Sequence, residues 1–303
     1  MFDQRLPEEP HLHQIEPTNH CPYTCVMCPR HGKMTRELGF MELDLYRKVI
    51  DEVAGYSKET REKEIELFHF GESLLHPDLV EMIQHASAQE LRICLSVNAP
   101  HLKPELSERI LEASPYRIII SLDGYDAESY RRIRGKVADF DLGVRHIQEL
   151  AERHAAASSD TLLTVRMIEL EENRGHGDDL RAILEPLNLT LDCREFFPWA
   201  EPEMADLGDF DAYPARMPCP FPWEYLVVQW NGSVVPCCRD YDGENALGHV
   251  RDQTLREIWH GDAHRAFRDQ HRRQKFEGND ICRRCMSLYF TDGSTDNATR
   301  GLT

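Results

Sequence analysis

Three cysteines fall within eight residues, at Cys21, Cys25 and Cys28, directly after the strand-like run Leu12 to Glu16. This C-x3-C-x2-C spacing constrains the chain more than any other feature. An iron–sulfur cluster normally takes four thiolates, so a compact three-thiol loop points to a cube with one iron left open for another ligand. Two plainer readings use the same residues. A disulfide framework suits small secreted domains, whereas this sequence of 303 residues opens on the polar stretch Met1 to Pro10 and shows no apolar leader and no membrane run. A zinc site would need a fourth ligand, which His20 or His31 could supply.

Charge narrows the partners. The chain carries 35 basic against 53 acidic residues, a net −18, which argues against a nucleic-acid backbone. It is compatible with a cationic small-molecule substrate, although surplus acid is also how a solvated surface reads. Ten cysteines without a secretion signal point to a reducing cytoplasm and to metal ligation.

Strand-like and helix-like segments alternate along the chain, the pattern of a parallel α/β sheet or barrel. Helical spacing marks Leu43 to Val53, a helix opened by Pro77 and Asp78, another opened by Pro104, and further helices over Gly143 to Arg153 and Asp178 to Leu184. Strands are predicted at Ile65 to Phe70, Leu91 to Asn98, Ile118 to Ile120, Leu162 to Glu169 and near Thr190 to Phe196. With the first strand this makes six β/α units. Single cysteines at Cys94 and Cys193 read as small buried hydrophobes within strands.

Functional residues of such sheets collect at the carboxyl ends of the strands. There lie Phe70-Gly71-Glu72-Ser73 after the second strand, Asn98 at the end of the third, Ser121-Leu122-Asp123-Gly124 at the end of the fourth, and Arg134 shortly beyond. Taken alone, each is equally a turn or a strand-end cap. Their order behind the cysteine triplet resembles the radical S-adenosylmethionine (SAM) superfamily, from about Leu12 to the C-terminal cysteines.

The resemblance implies a partial six-unit β/α barrel, open on one side, in residues 1–200. It also implies a 4Fe-4S cluster on Cys21, Cys25 and Cys28 whose open iron holds SAM, and cleavage of SAM to a 5'-deoxyadenosyl radical. By the same resemblance Gly71 and Glu72 contact the SAM amino group, and Asn98, Ser121 and Arg134 serve the rest of the cofactor. Phe70 and Ser73 depart from the family's Gly-Gly-Glu-Pro stretch. Arg166, Glu169 and Glu195 on the last two strands, and Trp199 just beyond, are candidates to meet substrate, although strand parity leaves their direction open.

Residues 201–218 form an acidic, proline-containing connector. A second unit over 219–290 begins at Cys219 and carries a β-hairpin turning at Asn231-Gly232. Cys237 and Cys238 follow, then a helix from about Thr254 to His271, then the Cys282/Cys285 pair. A polar tail covers 291–303. Four thiolates here would also suit a zinc ribbon. The unit resembles the SPASM region in its shortened Twitch form, which implies a second, auxiliary 4Fe-4S cluster on Cys219, Cys237, Cys282 and Cys285.

Cys238 is then left over. Neighbours in a strand face opposite sides, so Cys238 is either a structural thiol or a hydrogen-atom donor that would invert a substrate carbon, as in epimerases of this superfamily. Dehydrogenation of an alcohol carbon, with the auxiliary cluster taking an electron, is the alternative. A peptide modifier and a non-catalytic Fe–S protein are the further options. The short core resembles enzymes of aminoglycoside and aminocyclitol antibiotic biosynthesis, and an electron donor such as flavodoxin or ferredoxin is implied.

Overall fold

The computed structural model describes residues 5–196, 199 and 219–285. The acidic connector 201–218 and the tail 291–303 lie outside them. Nine strands form one sheet in the order β6-β5-β4-β3-β2-β1-β7-β8-β9. They are β1 His11–Ile15, β2 Glu64–Glu66, β3 Arg92–Asn98, β4 Arg117–Ser121, β5 Leu162–Glu169, β6 Thr190–Glu195, β7 Tyr225–Val228, β8 Ser233–Val235 and β9 Gly248–His249. Pairing is parallel from β6 through β1 to β7 and antiparallel from β7 to β9. The hairpin of the second unit therefore extends the main sheet through β1.

Helices α1 Leu43–Ala54, α2 Lys58–Arg61, α3 Leu79–Ser87, α4 Pro104–Glu112, α5 Ala127–Arg134, α6 Phe140–Ala157 and α7 Gly177–Leu184 connect the parallel strands. Three more, α8 Leu255–His260, α9 Asp262–Arg273 and α10 Asp280–Arg284, follow the hairpin. One face of the strands is sealed under these helices: Ile65, Ile93, Leu95, Val97, Ile118, Ile120, Val165 and Met167 all sit in the main core. Register puts Gln14 beside Glu66 and Cys94, and Asn98 beside Ser121, Arg166 and Asp192, on the opposite face. Neighbours in register share a face, so the inner face of this open barrel is polar. Its curvature brings Arg117 Nη2 of β4 to Glu64 of β2, at 2.7 Å, over the intervening strand.

Three expectations change, and one helix is new. The second strand ends at Glu66, because Leu67 makes one more bond to the Cys94 carbonyl and the chain then turns aside, Phe70 N–H donating to Glu16. The helix expected over Thr254 to His271 breaks at Gly261, whose backbone is extended between α8 and α9. Helix α5 is the new one: a capping box of Asp126 with Ser129 fixes its start, and Tyr130 and Ile133 are buried on one face. Cys193 is only half-buried and accepts from Arg181, while Cys94 is buried as expected.

Glu16, at the end of β1, joins these parts. Its fully buried carboxylate takes both Arg36 nitrogens at 2.6 and 2.5 Å and the Trp230 N–H at 3.1 Å. Removing one member of a buried pair strands the other charge, so Glu16→Ala is expected to cost about 3–5 kcal/mol. In urea titrations, the double change Glu16→Ala/Arg36→Leu should lose less than Glu16→Ala alone; an additive loss would contradict this account.

Candidate active site

The cysteine loop leaves β1 and is held on both sides. Thr18 Oγ1 donates to Gly39 O at 2.6 Å, and Asn19 exchanges bonds with Glu37 O and Gly39 N. Thr24 and Val26 donate their N–H groups to the carbonyls of Arg134 and Ile133, tying the loop to the end of α5. Gly135, at φ +93°, lies so close that a Cβ there would meet Thr24 Oγ1 at 2.1 Å. Burial pushes the thiols of Cys21 up to about 11 and of Cys28 up to about 12. The folded chain therefore holds neutral thiols until a metal displaces their protons. His20 stacks its ring on Phe40. Among the described residues no three His, Cys, Asp or Glu side chains gather round one ion position.

Beside this loop, Gly71 packs on the backbone of Thr18, where a Cβ would lie 1.9 Å from the carbonyl oxygen. Glu72 is buried. Its Oε2 accepts from Asn98 N–H at 2.8 Å and Nδ2 at 2.6 Å, and its Oε1 from Leu74 N–H at 3.0 Å. Burial raises its carboxyl in spite of these donors. Asn98 Oδ1 in turn accepts from Arg134, and Arg134 is clamped on Asp123 by Nε and Nη2. Asp123 also accepts Ile168 N–H at 2.7 Å. Glu72, Asn98 and Arg134 thus form one chain of bonds. Asp123, its anchor, was visible in the sequence only as part of a turn. Ser121 stands beside Asn98 in register, half-buried on the inner face.

Of the substrate candidates, Arg166 lies on the inner face and pairs with Asp192 at 2.9 Å. Glu169 and Glu195 share the parity of Met167, toward the helices; Glu195 is exposed and Glu169 faces Arg174 at 3.7 Å, so neither enters the barrel. Trp199 supports the cysteine loop, donating from Nε1 to Met27 O at 2.8 Å and packing on Phe70. A residue the sequence reading passed over is Glu66, which sits on the inner face with Gln14 Nε2 at 2.5 Å. The alternation Glu64-Ile65-Glu66 was the signal. A cavity of about 860 Å³ near Leu91, Tyr116 and Thr161 opens at the amino ends of the strands, away from all these groups.

In the second unit, Cys219, Cys237, Cys282 and Cys285 line one small cavity together with Phe221 and His271. Cys238 is not among its walls. Positions 237 and 238 lie beyond β8 in a turn, so strand parity does not govern them, and the two thiols approach closely enough to hydrogen-bond. Cys238 Sγ stands 3.7 Å from Tyr225 Oη, and its carbonyl meets His69 Nε2 at 2.7 Å.

The radical SAM superfamily model matches residues 15–175. The chain belongs to the radical SAM superfamily. A SPASM iron-sulfur cluster-binding domain matches residues 219–286. The chain therefore joins a radical SAM domain to an auxiliary cluster domain, and the cofactors these domains imply are SAM, a SAM-binding 4Fe-4S cluster and auxiliary iron–sulfur ligation. It is 22% identical over 91% of its length, and 92% of the relative's, to the S-adenosyl-L-methionine-dependent 2-deoxy-scyllo-inosamine dehydrogenase of Niallia circulans. It is 29% identical to the AdoMet-dependent heme synthase of Methanosarcina barkeri over 53% of the chain, and this match spans 44% of that relative. The mycofactocin maturase MftC of Mycobacterium ulcerans is likewise covered over 44% of its length, at 28% identity over 58% of this chain. Among solved structures, the fold matches BtrN in complex with AdoMet and 2-DOIA at TM-score 0.60, with 18% identity and coverage of 94% and 96% of the two chains. Streptococcus suis SuiB bound to precursor peptide SuiA matches at TM-score 0.70 and 10% identity, with coverage of 88% and 68%.

Two substitutions test the site. Gly71→Ala should weaken SAM binding by at least about tenfold in equilibrium dialysis, since a Cβ has no room against Thr18. Cys282→Ala should remove roughly half of the bound iron while the cluster of the first loop stays; full iron content would contradict the assigned auxiliary set.

Proposed function

We propose that the enzyme epimerises a C–H carbon of a small polar substrate held on the inner face of the barrel, with Cys238 as hydrogen-atom donor. Cys21, Cys25 and Cys28 would hold the SAM-binding cluster, and Gly71, Glu72, Asn98, Ser121 and Arg134 would cradle SAM. Bound there, SAM supplies the 5'-deoxyadenosyl radical that removes the substrate hydrogen. The observation that carries the reading is the position of Cys238. It stays out of the cavity lined by the other four thiols, remains half-buried rather than sealed, and its Sγ lies 3.7 Å from Tyr225 Oη. His69 fixes its backbone.

After donation the sulfur requires one electron and one proton. An external carrier of the flavodoxin or ferredoxin class would supply the electron. No helix among the described residues is long and apolar enough to cross a membrane.

Dehydrogenation of an alcohol carbon is the second reading, favoured by the nearly full-length match to a 2-deoxy-scyllo-inosamine dehydrogenase. There one hydrogen atom goes to the radical, one proton to a base and one electron to the auxiliary cluster. The two readings separate in deuterated buffer. Epimerisation gives a product with one deuterium at the inverted carbon, and Cys238→Ala should abolish inversion while SAM cleavage continues. A product lighter by two mass units, or unimpaired inversion in Cys238→Ala, would overturn the first reading.

A further inference from the structure

The inner face of the barrel contains one carboxyl whose setting no cofactor role explains. Glu66 ends β2, with its side chain 12% exposed toward the barrel interior. Its Oε2 is engaged by Gln14 Nε2 at 2.5 Å, with His13 Nε2 at 3.7 Å. Gln14 is itself 7% exposed, yet its carbonyl oxygen Oε1 is buried without a hydrogen-bond partner. This pairing depends on an irregularity in β1: the register with β7 shifts between Leu12 and Gln14, which lets both His13 and Gln14 reach Glu66.

Two acceptor oxygens, Glu66 Oε1 and Gln14 Oε1, are thereby left for a visitor that brings donors. A buried acceptor without a partner is left unsatisfied at a cost, which a ligand N–H recovers on binding. An ammonium carries three donors and a charge; it can serve both oxygens and neutralise the carboxylate together.

We infer that Glu66, oriented by Gln14, is the substrate anchor inside the barrel and that it selects substrates bearing a primary ammonium group. The inference rests on the reading of the barrel interior as the substrate site and names the class of substrate it takes. Other groups face Glu66 from every side. His13 is kept neutral by burial. Glu64 and, when ionised, Cys238 oppose ionisation, Cys94 lies beside it on β3, and Arg166 favours ionisation from β5. Burial dominates and pushes the Glu66 carboxyl up to about 8. At neutral pH the empty site therefore holds mostly the acid, whereas a bound ammonium favours the carboxylate, so binding must expel a proton.

The test is calorimetry on the fully loaded enzyme with SAM, using 2-deoxy-scyllo-inosamine and the amine-free ring polyol of the same hydroxyl pattern as probes. Native enzyme should favour the amine at least tenfold. Near pH 7 its binding enthalpy should vary with the ionisation enthalpy of the buffer, reporting up to about one proton released, and the release should fade above roughly pH 9, where Glu66 is already ionised. Glu66→Gln should lose both the preference and the proton release. Glu66→Asp should keep the release at reduced affinity, which separates loss of charge from loss of fold.

Equal affinity of native enzyme for the two probes, or no binding of either, would overturn the inference. So would a Glu66→Gln variant that retains the preference, or a Glu66→Asp variant that behaves like Glu66→Gln. Binding is read without turnover, so a product that is not an epimer would leave Glu66 in place. An epimer formed equally well by Glu66→Gln would remove Glu66 and leave Cys238.

Discussion

A single buried carboxylate holds the working parts in register. Glu16 sits where β1 gives way to the cysteine loop, and three segments converge on it: Arg36 from the stretch after the loop, His69 and Phe70 before the Gly71–Glu72 turn, and Trp230 from the hairpin of the second unit. Burying a charge is costly without full hydrogen bonding, and Glu16 obtains it only when all of these are in place. Arg36 extends the link to the carbonyl of Tyr241, and Asp242 takes the Thr35 and Arg36 N–H groups. The loop that would carry the first cluster and the turns that frame the auxiliary thiols are therefore set by one electrostatic condition.

How much of this was legible in the sequence follows from the reach of the interactions. The cysteine spacings were legible because cluster ligation imposes them locally. Parallel strands such as Ile118 to Ile120 showed as apolar runs, since their outer face is sealed by helices. The end of the second strand was not legible, because the chain leaves the sheet to reach Glu16, a residue more than fifty positions away. Asp123 looked like a turn residue; its partner Arg134 lies eleven positions on, at the end of a helix the sequence reading did not place, so the pair exists only in space. The parity of Glu169 and Glu195 needed the register with Met167 and Cys193. Cys238 was singled out by counting thiols, but the supporting argument from strand alternation failed, since both cysteines lie in a turn.

The inner face shows why polar strands are tolerated at the centre of the fold. Asn98, Ser121, Arg166 and Asp192 form one row, in which Arg166 and Asp192 pair their charges, and Gln14, Glu66 and Cys94 form another. The core proper lies outside the barrel, between strands and helices, so the inner rows are free to vary without loss of packing. Chemistry and stability draw on opposite faces of the same strands.

The parallel pairing of β1 with β7 also orders biosynthesis. Some 210 residues separate Ile15 from Tyr225, which a ribosome adding 5–20 residues per second takes some tens of seconds to make. Until then one edge of β1, at His11–Ile15, has no strand to bond with, and exposed edges invite pairing with other chains. Its shortness and its two histidines blunt that edge while it waits. The cysteine loop at its end leaves the ribosome just as early, so its three thiols emerge well before the sheet is complete.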